Sequence, residues 1–266
     1  MVASRHVATA LITGASAGIG RELARLFAAA GHDLLLVARR LPELRALCSD
    51  LEQRHRVKAR AVACDLSSQV ELDALLAEVR GVELDFLVNN AGIGTPGAFA
   101  ELPAAGESAL IEVNVRALVR LTREILPGML ARRRGRVLNM GSMAGFQPGP
   151  YMATYYASKA FVISFSEALA YETRGTGVTV TVSCPGPTLT EFGAHSDLYQ
   201  SRLFQFGTAR AEGIARQAFR AMERGRPLVV HGPMNFLLLQ SLRIAPRAWL
   251  RALTAWLNRA PVAKST

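Results

Sequence analysis

Val7-Ala8-Thr9-Ala10-Leu11-Ile12-Thr13-Gly14-Ala15-Ser16-Ala17-Gly18-Ile19-Gly20 is an apolar run, a glycine turn and the start of a segment carrying Leu23, Leu26 and Phe27 before Gly31. The order reads as strand, turn, helix and helix stop. Glycines remove side chains where a pyrophosphate would approach the backbone. The helix behind them offers unpaired N–H groups and the positive end of its dipole. The spacing is Gly-x-x-x-Gly-x-Gly, not the Gly-x-Gly-x-x-Gly of the best-known dinucleotide turn, and a glycine cluster by itself is equally a tight turn.

Outward from this stretch, apolar segments recur at 34–38, 59–63, 84–88, 137–140, 178–183 and 228–230, with helical patterns between them. This alternation predicts a doubly wound α/β fold: a parallel sheet of about seven strands, helices on both faces, and ligands at the carboxyl ends of the strands. A chain of 266 residues, 50% hydrophobic and 20% charged, with no linker, repeat or low-complexity tract, suits one domain over 1–266. Cys48, Cys64 and Cys184 cannot all pair and lack metal-ligand spacing, which points to a reducing, cytoplasmic setting. His195 has no second His or Cys nearby, so no metal site is expected. The apolar start is too short for a signal-peptide core, and no run of about eighteen apolar residues would span a membrane, so the chain is expected to be cytoplasmic or membrane-peripheral.

Tyr155 and Lys159 stand four apart, and on a helix such positions share a face. A nearby ammonium favours phenolate, lowering a pKa that is otherwise near 10 and making the phenol a usable acid and base. Of Tyr151, Tyr155 and Tyr156, only Tyr155 has a cation at i+4. Ser142 follows the strand expected at 137–140, where its hydroxyl can orient a substrate oxygen. A Tyr/Lys pair alone more often flanks a solvated face.

Together these residues resemble the short-chain dehydrogenase/reductase family, from Thr13 to about Pro233. The resemblance implies a Rossmann fold with cofactor contacts from Gly14, Ser16, Gly18, Ile19 and Gly20. It implies an adenine contact from Asp65-Leu66, and further contacts from Asn89, Ala91 and Gly92 within Asn89-Asn90-Ala91-Gly92. Asn114, Ser142, Tyr155 and Lys159 match the family's catalytic set. In that chemistry hydride passes between nicotinamide and a carbonyl carbon while Tyr155 exchanges a proton with the oxygen. Ser142 supports the developing oxyanion, Lys159 binds the nicotinamide ribose and lowers the Tyr155 pKa, and Asn114 holds a water on the proton path. Pro185-Gly186 begins the nicotinamide loop, which continues through Thr188, where valine or isoleucine is commoner, to Thr190, expected at the cofactor amide. A homodimer or homotetramer is implied by the family alone.

Arg39-Arg40 stands at the end of the second predicted strand, where an NAD site wants an acid for the ribose hydroxyls. Guanidinium there suits a 2′-phosphate and makes NADP(H) the expected cofactor; the alternative is a solvated arginine pair. The substrate walls are expected in 143–152, with Phe146, Pro148, Pro150 and Tyr151, and in 191–207, with Phe192, His195, Tyr199, Phe204 and Phe206. Both lean apolar, which suits a small hydrophobic carbonyl or alcohol better than a sugar.

Residues 201–266 carry eleven Lys/Arg against Glu212 and Glu223, nearly all of the formal net charge of +10. With no nucleic-acid motif, that charge speaks only for non-specific attraction, and no nucleic-acid partner is expected. An amphipathic helical extension is expected at about 233–260. After Pro246 it places Trp249, Leu250, Leu253, Trp256 and Leu257 on one face, with Arg247, Arg251, Asn258 and Arg259 largely opposite. Such a helix can lie on an anionic membrane or pack over the substrate pocket or a second subunit. Packing with solvated arginines is the expectation, because the 236–239 run also needs burial. A non-catalytic NADPH-binding sensor or scaffold is the alternative function, and the complete Asn114, Ser142, Tyr155 and Lys159 set speaks against it.

Overall fold

The computed structural model describes residues 7–190, 201–205, 207–242 and 244–259. The first expected unit is present as β1 (Thr9–Thr13), α1 (Gly18–Ala29) and β2 (Asp33–Ala38). The alternation continues through α2 (Leu41–His55), β3 (Ala59–Ala63), α3 (Gln69–Val79), β4 (Phe86–Asn89) and α4 (Ala104–Ile111). It goes on to α5 (Leu118–Ala131), β5 (Gly135–Met140), α6 (Ala153–Glu172) and β6 (Val178–Cys184). A short parallel pair, β7 (Thr188–Leu189) and β8 (Ala209–Arg210), brackets α7 (Arg202–Gln205). Then follow α8 (Ala211–Glu223), β9 (Leu228–Val230), α9 (Pro233–Leu242) and α10 (Arg247–Asn258).

Seven strands form one parallel sheet in the order β3-β2-β1-β4-β5-β6-β9. The chain winds outward one way from β1 and the other way from β4, so the two neighbouring carboxyl ends open a crevice at the point where the order reverses. Successive strand residues face opposite layers. Ala10 and Ile12 enter the core beneath α1, α2 and α8, where Phe27 meets Phe86 and Phe219 edge-on at 5.0 and 4.9 Å. Leu11 enters the other core, with Leu72, Leu76, Leu87 and Leu121.

The fourth strand begins later than the apolar run suggests. Leu84 lies outside it, and Asp85 uses its carboxylate on the Thr9 N–H at 3.1 Å and on Arg134 Nε at 2.6 Å. The Pro246 ring, which cannot extend a helix beyond its first turn, divides the C-terminal stretch into α9 and α10. No helix among the described residues is long and apolar enough to cross a membrane.

Candidate functional site

The glycine turn has the backbone its sequence demands. Gly14 and Gly18 take φ of +65° and +53°, which favour glycine, and a Cβ on Gly14 would come within 2.8 Å of Asn90 Nδ2. Gly20 lies behind the turn, where a Cβ would stand 2.3 Å from the Gly14 carbonyl oxygen. Helix α1 starts with no side-chain cap and no acid in its first turn, so its N–H groups remain available to an anion at the crevice.

A cleft of about 610 Å³ runs along the carboxyl ends of the strands. Gly14, Ser16, Gly18, Ile19, Arg39, Arg40, Asp65, Leu66, Ala91 and Gly92 line one part of it. Ser142, Tyr155, Lys159, Pro185, Gly186, Thr188 and Thr190 line the rest. Arg40 Nη2 donates to Ser16 Oγ at 3.3 Å, and Arg39 is exposed close enough to Asp65 to act on its carboxyl. Burial would raise the Asp65 pKa, but the Ser67 N–H and hydroxyl, with Arg39, bring it below its ordinary value.

Three expected residues do not line the cleft. Asn89 is a buried brace rather than a wall: its Nδ2 donates to Asn139 Oδ1 at 2.8 Å and to Thr122 Oγ1 at 3.1 Å. The next residue, Asn90, faces the turn and donates to the carbonyls of Thr13 and Gly14 at 2.9 and 3.2 Å. Gly20 serves packing as described. Asn114 lies just behind the wall in a π-helical segment, Glu112–Ala117, between α4 and α5. Its Nδ2 donates to the Ile93 carbonyl (2.9 Å) and Ser158 Oγ (3.1 Å), and its Oδ1 accepts the Ile93 N–H (2.9 Å). Such segments commonly mark functional positions in helices. A Cβ on Gly92 would stand 3.4 Å from both Asn114 Oδ1 and Lys159 Nζ, so the three meet at one point of the wall.

Ser142 lies two residues past the end of β5 and accepts the Ala144 N–H at 3.1 Å, while Tyr155 and Lys159 lie one turn apart on α6. The Ser142 hydroxyl and the Tyr155 phenol share a hydrogen bond. Burial pushes the phenol up to about 12, with that bond acting in the opposite direction. The expected lowering by Lys159 is therefore corrected. Lys159 Nζ donates to the Met140 carbonyl at 2.8 Å and stands 5.8 Å from the Tyr155 ring centroid, and burial sets the phenol's direction. Burial also brings Lys159 itself down to about 8.

The end of the cleft near the expected substrate walls is apolar, with Met143, Ala144, Met152, Tyr156, Leu203 and Phe204. Phe192, His195, Tyr199 and Phe206 lie outside the described residues. Helix α10 meets this end through Asn258, which the sequence did not suggest: Tyr156 Oη donates to Asn258 Oδ1 at 3.0 Å, and Asn258 Nδ2 donates to the Pro150 carbonyl at 2.9 Å. Tyr151, beside Pro150, has φ +65°, a conformation rare for a bulky residue. It is held by the Gly97 N–H on its carbonyl at 2.9 Å and by the Arg259 guanidinium over its ring at 4.5 Å. A smaller hollow of about 280 Å³, lined by Glu22, Arg25, Arg54 and Glu212 among others, holds none of the expected site residues.

The profile of the short chain dehydrogenase family matches residues 8–199. A very-long-chain 3-oxoacyl-CoA reductase of Coprinopsis cinerea is 38% identical over 177 residues, 65% of this chain and 52% of that protein. The chain thus spans about half the length of the curated relatives it matches. Among solved structures, a short-chain dehydrogenase from Sphingobium yanoikuyae in complex with NADPH superposes with a TM-score of 0.81 at 32% identity, covering 90% of this chain and 94% of that one. A 7beta-hydroxysteroid dehydrogenase superposes with a TM-score of 0.85 at 26% identity, covering 93% and 96%. With the crevice at the β1/β4 reversal and the Ser142, Tyr155 and Lys159 grouping, these likenesses agree on one conclusion: the chain belongs to the short chain dehydrogenase family.

Proposed function

We propose that the protein is an NADP(H)-dependent oxidoreductase that moves hydride between nicotinamide and an apolar carbonyl or alcohol. The observation that carries this reading is the Ser142–Tyr155 hydrogen bond, in the same cleft as the uncapped start of α1 and one helical turn from Lys159.

The residues present fit a dinucleotide, since the side-chain-free turn at Gly14 and Gly18 leads to open N–H groups. Arg40 with Ser16, and Arg39 at the rim, suit the extra phosphate of NADP(H) by charge and by donor geometry. When bound, the cofactor supplies or accepts the hydride. Tyr155, protonated at neutral pH, donates its phenolic proton to the carbonyl oxygen as charge develops there. Ser142 steadies the same oxygen with a hydrogen bond. Lys159 places an ammonium between the Met140 carbonyl and the phenol, available to ribose hydroxyls. Asn114 fixes the Ile93 backbone and Ser158 around this group and is placed to hold a water on the proton path.

Met143, Met152, Leu203 and Phe204 suit a ketone or aldehyde on an apolar body, such as the long-chain 3-oxoacyl group for which the fungal relatives are named. We include homodimeric or homotetrameric assembly in this reading, on the family resemblance. The cytoplasmic setting also remains part of the proposal, consistent with three free, buried cysteines.

The test is NADPH oxidation against a panel of apolar ketones, aldehydes and 3-oxoacyl thioesters. Tyr155→Phe should bind NADPH as the parent does and turn over at least about 10²-fold more slowly. Near-parental turnover would remove Tyr155 as the proton donor. NADPH binding with no turnover on any carbonyl would favour a sensor.

A further inference from the structure

We propose that the outward face of α10 docks the protein on an anionic lipid bilayer. Trp249, Leu253 and Trp256 are 74%, 54% and 46% exposed at a spacing that places them on one side of α10, and Met234, Phe236, Leu237 and Ile244 in and just after α9 are exposed as well. Large exposed side chains elsewhere, such as Val70, Phe99 and Tyr171, are well separated in the sequence. A concentration of this kind marks a surface that meets something apolar.

The orientation of α10 is fixed by its other side. Thr254 and Asn258 are 2% and 7% exposed, and Asn258 is hydrogen-bonded to Tyr156 and Pro150. Turning Trp249 and Leu253 inward would require breaking those bonds, and among the described residues none covers them, so the partner in this proposal comes from outside.

Charge selects the partner. Arg247 and Arg251 are exposed among the apolar residues, and the sequence contains no Asp or Glu after Glu223. Apolar side chains flanked by arginines, with a tryptophan at the boundary, match the acyl region and the phosphate layer of an anionic bilayer together. A second copy of the chain fits less well. A two-fold contact would bring the same patch against itself, setting arginine against arginine with no local acid to pair. Docking of this kind is independent of the reaction proposed above.

The full chain should sediment with phosphatidylcholine vesicles that contain phosphatidylglycerol, far less with phosphatidylcholine alone, and the binding should weaken as salt is raised. Trp249→Glu combined with Leu253→Glu changes only exposed positions, so melting should be unchanged while vesicle affinity falls at least about tenfold. With Trp256→Phe, Trp249 is the only remaining tryptophan, and brominated lipids should quench its fluorescence. Failure of the parent to sediment with either vesicle, or equal binding by the double variant, would overturn the proposal. So would a concentration-dependent dimer that the double variant dissociates, which would assign the face to a second copy.

Discussion

At the scale of single residues, Lys159 sits where its charge is costly. Its folded pKa of about 8 lies below the unfolded 10.5, so between those values the unfolded chain binds more protons and the fold gains stability as pH rises. Relative to Lys159→Met, the parent should gain up to about 3 kcal/mol between pH 8 and 10.5 in urea unfolding, and parallel curves would remove the buried ammonium. At the other end of the cleft, Arg39→Asp should weaken NADPH about thirtyfold and NADH little, read by fluorescence titration, because repulsion replaces a charge-assisted contact. Equal losses for both would mean that Arg39 does not read the 2′-phosphate. The sequence placed most of the cleft residues but chose Asn89 over Asn90. Adjacent strand residues face opposite ways, and spacing alone does not reveal where the strand ends. It also credited Lys159 with control of the Tyr155 proton, because a separation of four residues carries no information on burial.

At the scale of elements, the strands were legible because those of a doubly covered parallel sheet are nearly continuous apolar runs. The two-residue strands β7 and β8 are too short to show a period. The orientation of α10 was hidden for another reason: its amphipathic pattern divides two faces, but the residues turned furthest inward are Thr254 and Asn258, and Asn258 meets a tyrosine hydroxyl and a backbone carbonyl while Arg247 and Arg251 stay exposed. Asn258→Ala should therefore cost about 1–3 kcal/mol in stability by leaving Tyr156 Oη and the Pro150 carbonyl unsatisfied. It should also raise KM for an apolar carbonyl while leaving NADPH affinity unchanged. A change in NADPH affinity alone would place α10 over the wrong end of the cleft. Near β9, His231 is buried between Ser183 Oγ (2.7 Å) and Gln217 Oε1 (3.3 Å), and burial lowers its pKa to about 4. Since this lies below the unfolded 6.5, the fold loses stability as pH falls from 6.5 toward 4, and His231→Gln should flatten that part of the melting curve.

For the whole molecule, the same strands feed both cores, with Ile12 on one side and Leu11 on the other, so neither layer can melt alone. Phe27→Ala and Leu87→Ala remove buried side chains from opposite layers and should each cost about 2–5 kcal/mol. Both should shift one calorimetric transition, whereas two separated peaks would show that the layers are independent units. The buried amides cross this architecture in a particular direction: Asn89 on β4 donates to Asn139 on β5, and Asn139 Nδ2 donates at 2.9 Å to Ser166 on α6. Sliding any of the three elements by one residue would strand these groups in an apolar interior, so the helix bearing Tyr155 is locked to β5, which ends two residues before Ser142. Residues 143–152 supply no link in that chain. Most of that loop's side chains can therefore vary while Tyr155 keeps its address, except where the loop presses on α6: a Cβ on Gly145 would stand 2.5 Å from Ile163 Cδ1 and one on Gly149 2.1 Å from the Tyr156 ring.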